Sequence, residues 1–270
     1  MTVARSHLIR VGVVALASGA TLALALALAL AVADGGPGAG AATPGSAGNS
    51  GSNAVPATLA SIKAKAATDV TDRVNALNGA IAKVNAAKGL GSGQSTLASY
   101  LGTDSAPLQQ LNQTIQGDTT VAQAAKDFGR IFSGYRVYVL VLPASRIAAD
   151  ADRATTTAVP ALGSDATKAE TRVNAGNQAE LQPLIDDLNS QISTASNATS
   201  GLAATVLAYT PAQWNANHGL LGPSKSSGQT AIGALKKGRS DVQQVVQDLR
   251  GTAGSGLDGR AGTTSTTTTG

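Results

Sequence analysis

Apolar residues that recur at intervals of three and four are the feature that most constrains how this chain folds. The pattern returns in several stretches between residues 57 and 250, and polar residues occupy the positions between the apolar ones. Because one side of an α-helix collects positions with this spacing, each stretch is predicted to be an amphipathic helix. The sequence therefore predicts an all-α fold, an antiparallel helical bundle with coiled-coil-like long helices. The longest runs lie at residues 59–84, 181–206 and 232–249.

Glycine and proline residues mark where these helices are expected to end or bend. Gly89 and Gly91 follow the first long run, Gly102 and Pro107 interrupt the next stretch, and Pro160 falls inside a later Ala-rich run. Glycine tolerates the left-handed backbone at a helix end, and proline lacks the N–H that a helix interior needs. We therefore expect the first helix to end near Gly89, the second stretch to break, and the helix around Pro160 to be perturbed.

One segment, residues 135–142, departs from the helical pattern in its composition. It consists almost entirely of β-branched, aromatic and Leu residues, with Pro143 behind it, and such residues favour strands. A lone strand would leave its backbone groups without partners, and nothing else in the sequence resembles a second strand. Two interpretations stay open, a fully buried helix or an extended central segment, with Pro143 closing it.

Four aromatic residues in and before this segment recur at steps of three and four. They are Phe128, Phe132, Tyr135 and Tyr138, and Arg136 lies among them. Because the rest of the predicted core is Ala, Val and Leu, we expect these rings to form its bulky centre. The functional alternative is a groove for an apolar ligand, in which Arg136 holds an anionic head group.

A second candidate site surrounds Trp214, the only Trp of the chain. Thr210, Pro211 and Gln213 are predicted to form a capping box that begins a short helix there. The simpler expectation is that Trp214 covers one end of the bundle. Because one Trp among amide side chains, with Tyr209 close by, is also the composition of a sugar-stacking site, the alternative is a site for a cell-wall glycan.

The first 33 residues are predicted to be a signal peptide. Arg5 and Arg10 precede an uninterrupted apolar stretch at 11–32, and small residues end it at Ala31 and Ala33. The stretch has 22 residues, enough to span about 30 Å of hydrocarbon, so the alternative is an uncleaved anchor. Cleavage after Ala33 would leave 18 basic and 16 acidic residues, a net charge of +2.

Two low-complexity segments flank the predicted bundle. Residues 34–56 are rich in Gly, Ala, Ser and Pro, and residues 251–270 are rich in Gly and Thr. Neither segment has the apolar residues that would offset the entropy lost on ordering. The predicted organisation is therefore a flexible linker at 34–56, one helical domain at 57–250 and a disordered tail at 251–270.

Several catalytic chemistries lack their residues in this sequence. The chain has no Cys and only two His, His7 and His218, which excludes thiolate sites, cysteine nucleophiles and multi-His metal sites. Nucleophile, base and orienting residue form no recognisable cluster, and Asp150 and Asp152 would diverge on a helix. We expect no enzymatic activity, no cofactor and no metal. The small net charge and the few aromatic residues also argue against a nucleic-acid partner.

The string FxxIFxxYRVYVLVLP at residues 128–143, followed by Ala148-Ala149-Asp150, resembles a signature of secreted, Ala-rich helical proteins of actinobacteria. Residues 206–215 resemble the C-terminal part of the same proteins, and the resemblance covers roughly residues 57–250. Because this family has no assigned activity, the resemblance implies export and a helical fold and supplies no chemistry.

The expected function is that of a non-enzymatic structural or interaction protein, either secreted or associated with the cell envelope. Its partner would be an envelope component or another surface protein, and membrane contact would be confined to residues 11–32 if they are not cleaved. The alternative is a binding module for a cell-wall glycan or a lipid. The candidate ligand-binding residues are Trp214, Tyr209, Arg136, Tyr135 and Tyr138.

Overall fold

The structure is a computed structural model that describes the backbone of residues 58–255 and the side chains of residues 58–250. Every secondary-structure element in that part of the chain is helical, which confirms the all-α prediction. The α-helices are α1 (Leu59–Ala86), α2 (Gly93–Gly102), α3 (Ser105–Gly117), α4 (Val121–Ser133), α5 (Leu142–Arg153), α6 (Val159–Glu170), α7 (Gln178–Thr199), α8 (Leu202–Leu207), α9 (Pro211–Ala216) and α10 (Gly222–Ser255). The first π turn is Val137–Val141, and the second π turn is Ala154–Ala158.

The described residues contain most of the predicted bundle but not the flanking segments. The predicted signal peptide or anchor at 1–33, the linker at 34–56 and the tail beyond residue 255 lie outside them. The backbone of α10 continues to Ser255, past the bundle boundary that the sequence predicted at residue 250. Within residues 58–255, no helix combines the length and hydrophobicity that crossing a bilayer requires.

Buried apolar side chains form three clusters. Helices α1, α2, α3, α4, α5 and α8 and the first π turn all contribute to the main cluster. The two smaller clusters lie between α6, α7 and α10. Helices α7 and α10 are antiparallel, because Leu188 packs with Leu235 while the earlier Ile185 packs with the later Val245. The core is built from Ala, Leu, Val and Ile, so the helices approach each other closely and the burial of many small groups stabilises the fold.

Each π turn is centred four residues before a proline. Val139 is the middle residue of the first π turn and precedes Pro143 by four, and Thr156 stands in the same relation to Pro160. In a regular helix the proline ring would clash with the carbonyl four residues earlier, and that carbonyl would lose its donor. The wider turn relieves this conflict, so the helical path continues from Val137 through both prolines to Glu170.

This continuity corrects one expectation and confirms another. Pro143 does not close the segment at residues 135–142, because the first π turn accommodates it and the helix continues into α5. The segment is helical rather than extended, but it is not fully buried, since the side chains of Tyr138 and Val139 are exposed. The predicted perturbation at Pro160 is confirmed as the second π turn.

The predicted breaks were otherwise found, with one omission. The stretch around Gly102 and Pro107 divides into α2 and α3, and α1 ends at Ala86. The prediction of one long helix at 181–206 was wrong, because Gly201 adopts a left-handed backbone with φ of 66° and separates α7 from α8. Apolar spacing continues across that break, which explains why periodicity alone did not indicate it.

The loop after α1 is fastened by hydroxyl groups of the second π turn. The carbonyl of Gly89 accepts hydrogen bonds from the Oγ1 atoms of Thr156 at 2.5 Å and Thr157 at 3.3 Å. Gly89 has φ of 79°, in the left-handed region, and a Cβ added there would lie 2.7 Å from the Oγ1 atom of Thr157. Glycine is therefore required at this position for both backbone and packing reasons.

Replacing two glycines separately tests this requirement. We expect Gly89→Ala to lower the free energy of unfolding by about 1–2 kcal/mol, because an L-residue is strained in the left-handed region. The control, Gly79→Ala in α1, has open space around the added Cβ and should raise the same quantity by about 0.5–1 kcal/mol. Urea unfolding followed by circular dichroism measures both, and two changes of the same sign would contradict the assignment.

Candidate functional site

An exposed apolar surface lies on α4 and the first π turn, and we call it the aromatic face. It consists of Phe128, Phe132, Tyr138 and Val139. Phe132, Tyr138 and Val139 are 36%, 45% and 43% exposed, whereas Phe128 is half-buried against the main cluster. The rings of Phe128 and Phe132 meet edge to face, with their centroids 5.2 Å apart.

A buried guanidinium group from α1 holds two of these rings in place. The central carbon of the Arg73 guanidinium lies 4.5 Å from the ring centroid of Phe132 and 5.2 Å from that of Tyr138. Its Nη1 atom donates to the backbone carbonyl of Asp69 at 2.8 Å and lies 3.6 Å from the Asp69 carboxylate. Arg73 is only 7% exposed, so the two rings and Asp69 together replace the water that this cation has lost.

The aromatic face corrects the expectation that these rings form the centre of the core. The π turn sets Val137, Leu140 and Val141 against the main cluster, and it leaves Tyr138 on the outside. Arg73 is one of the polar residues that fall between the apolar positions of the first run, yet it is buried. The signal that sequence reasoning missed is the spacing, because Arg73 stands three residues after the buried Val70.

Arg136 joins the two candidate regions that the sequence singled out. Its backbone is left-handed, with φ of 48°, an uncommon conformation for a residue with a side chain. Its Nε atom donates to the Oδ1 atom of Asn215 in α9 at 2.6 Å. The Nδ2 atom of the same amide donates to the carbonyl of Ser133, in the last turn of α4, at 3.0 Å. The amide of Asn215 therefore ties α9 to both sides of the bend before the first π turn.

The neighbourhood of Trp214 is occupied largely by internal contacts. Its ring is half-buried against the main cluster, and the ring of His218 lies 5.9 Å away at a tilt of 46°. The predicted capping box is confirmed, since the Thr210 hydroxyl accepts from the Gln213 backbone N–H and the Gln213 side chain accepts from the Thr210 backbone N–H. The side chain of Asn217 accepts from the backbone N–H of Gly219.

Tyr209 and Tyr135 are, like Trp214, half-buried against the main cluster. The hydroxyl of Tyr209 lies 3.5 Å from the Oγ atom of the buried Ser224. Burial raises the pKa of the Tyr135 phenol, while the charge of Arg130 lowers it and that of Asp104 raises it. Among the five predicted ligand-binding residues, only Tyr138 belongs to the aromatic face.

Asp150, near the C-terminal end of α5, has a structural partner. Asp150 pairs with Arg153 at 3.4 Å. Burial raises the pKa of the Asp150 carboxyl, and the charges of Arg153 and Arg146 lower it. Among the described residues, no group of three or more His, Asp or Glu side chains is arranged to hold a metal ion.

Comparisons of the chain with protein-family models, with curated proteins and with solved structures give no match.

The bridge made by the Asn215 amide can be tested by removing it. Asn215→Ala deletes both hydrogen bonds, so we expect the free energy of unfolding to fall by about 1–2 kcal/mol. The change in Trp214 emission on unfolding provides the measurement, because that residue shares α9. Asn197→Ala, at an exposed position of α7, serves as the control and should change stability by less than about 0.5 kcal/mol. Equal effects of the two changes would contradict the bridge.

The phenol of Tyr100 predicts a pH dependence of stability in the alkaline range. Burial, with a smaller contribution from Asp104, raises its pKa from 10.0 to about 12. The neutral phenol therefore stabilises the folded state fully below pH 10, and this contribution is lost as the pH rises to about 12. We expect the free energy of unfolding of the wild type to fall relative to that of Tyr100→Phe over this interval, because only the wild type carries the phenol. Urea unfolding at several pH values measures it, and a constant difference would refute the assignment.

Proposed function

We propose that this protein is exported and acts without catalysis, as a structural or interaction protein of the cell envelope that binds its partner through the aromatic face. The observation that carries the proposal is the position of the exposed large apolar side chains. Among the described residues there are five, and Val121, Phe132, Tyr138 and Val139 lie within one short stretch of chain. The fifth, Val246, lies on α10. Concentration of exposed apolar groups in one region is typical of an interaction surface.

The way the rings are held supports the same proposal. Because Arg73 contacts Phe132 and Tyr138 from within, the rings keep fixed positions and present their outer sides to water. A partner that covers them then removes apolar area from water without first ordering flexible side chains. Aromatic residues with this low entropic penalty are often the residues that contribute most to binding.

The sequence supports the location of this function. The apolar stretch at 11–32 and the small residues before Asp34 predict export, and the resemblance of residues 128–143 to secreted, Ala-rich proteins of actinobacteria favours the same location. Both statements remain predictions, and residues 1–57 lie outside the described part of the chain.

A glycan site at Trp214 receives less support. The side-chain oxygens of Gln213 and Asn217 and both amide atoms of Asn215 make hydrogen bonds within the protein, so part of the set expected to recognise sugar hydroxyls is engaged internally. The ring of Trp214 is also half-buried against the main cluster. A saccharide at this position stays a prediction on which the proposed function does not depend.

Photocrosslinking in intact cells tests the proposed function. The full chain with a photoreactive benzoylphenylalanine in place of Phe132 should crosslink to an envelope component, whereas the same group in place of Val246 should not. The N-terminus of the recovered protein is determined in parallel, and either Asp34 outside the membrane or Met1 within it agrees with export. A cytosolic protein that retains its leader, or equal crosslinking from both positions, would contradict the proposal.

A further inference from the structure

We infer that the partner of the aromatic face is a membrane surface that contains anionic phospholipids, and that α4 lies on it as an interfacial helix. This inference rests on the proposed function and names the chemistry of the partner. It also extends membrane contact beyond residues 11–32, to which the sequence confined it.

The apolar side chains of α4 form a row that its neighbours do not cover. Val121, Ala125, Phe128 and Phe132 follow one another at steps of four, three and four, so they lie on one side of the helix. Over the rise of an α-helix this row is about 16 Å long. Val121 and Ala125 are exposed, Phe128 is half-buried, and Phe132 continues the row into the exposed part of the first π turn.

Basic side chains flank this row. Lys126 and Arg130 are exposed on α4, where Arg130 pairs with Asp127 at 3.1 Å. The Lys65 ammonium lies 6.0 Å from the centroid of Phe128 and 3.3 Å from the Asp69 carboxylate, with its side chain 65% exposed. Long basic side chains at an apolar surface keep their stems against it and place the charge in water, which is the arrangement of helices that lie on anionic membranes. Arg136, which the sequence assigned to an anionic head group, instead donates to Asn215.

The distribution of charge along the chain favours an anionic surface. Residues 58–250 contain 17 basic and 14 acidic residues, a net charge of +3. Residues 121–141, from the start of α4 to the end of the first π turn, contain three basic residues and one acidic residue, a net charge of +2. This stretch therefore carries a net positive charge, and the carboxylates of Asp69 and Asp72 on α1 also lie near Tyr138.

The same charges argue against a second copy of this chain as the partner. Two copies that met through the aromatic face would bring Lys65, Lys126 and Arg130 close to the same residues of the other copy. Such like-charge contacts oppose association, whereas an anionic lipid surface attracts each of these side chains.

Site-specific labels in the full chain test the inference, and the absence of native Cys makes the labelling selective. Val139→Cys is labelled with an environment-sensitive NBD fluorophore, and Val246→Cys, at an exposed position of α10, is the matched control. Each protein is mixed with vesicles of phosphatidylcholine alone, or with vesicles in which about 30% of the lipid is the anionic phosphatidylglycerol. Because both labelled proteins contain residues 11–32, insertion of that segment into the vesicles affects the two equally.

The expected result is a blue shift and quenching by brominated lipids at position 139 only, and only with anionic vesicles. Salt at about 1 M should weaken the signal by screening, and Phe132→Ser should lower the apparent affinity roughly tenfold. An unchanged signal at position 139, an equal signal at position 246, or a lipid-independent shift that grows with protein concentration would overturn the inference. A negative result would leave export and envelope crosslinking unaffected, so the two proposals fail separately.

Discussion

One continuous helical path, from Val137 to Glu170, holds the described structure together. It contributes buried side chains to all three apolar clusters, including Leu140 and Ala148 in the main cluster, Leu162 in the second and Ala169 in the third. The two prolines in this path would interrupt a regular helix, and the π turns centred four residues before each of them keep it continuous. The first π turn of this path also carries Tyr138 and Val139, two exposed side chains of the aromatic face.

Most of the helices could be predicted because their apolar spacing is regular. The segment at residues 135–142 was harder, since its β-branched composition favours a strand while its buried positions, Val137, Leu140 and Val141, follow helical spacing. Spacing was the better guide there, because it reflects which side of the segment is buried. At Gly201 the opposite happened: the spacing continued, but the left-handed backbone ended α7.

The candidate site could be predicted only in part, because its key contact joins distant parts of the chain. Phe132 and Tyr138 were recognisable as an aromatic pair, but nothing local indicates that Arg73, some sixty residues earlier in the sequence, lies against both rings. Likewise, Asn215 and Arg136 were each noticed for their chemistry, and only the packing of α9 brings them together. Residues whose partners come from another helix cannot be assigned from periodicity, which reports only the side of a helix that is buried.

The contact between Arg73 and the rings links stability to binding. A cation that is 7% exposed needs compensation for lost hydration, and the inner sides of Phe132 and Tyr138 supply part of it. If the rings were apolar core residues alone, burial of their outer sides would be favourable, and the bundle would cover them. They are instead held at the surface by a contact that uses one side of each ring. The fold thus keeps an apolar surface exposed to solvent. Within the described bundle nothing covers it, so a partner would have to do so.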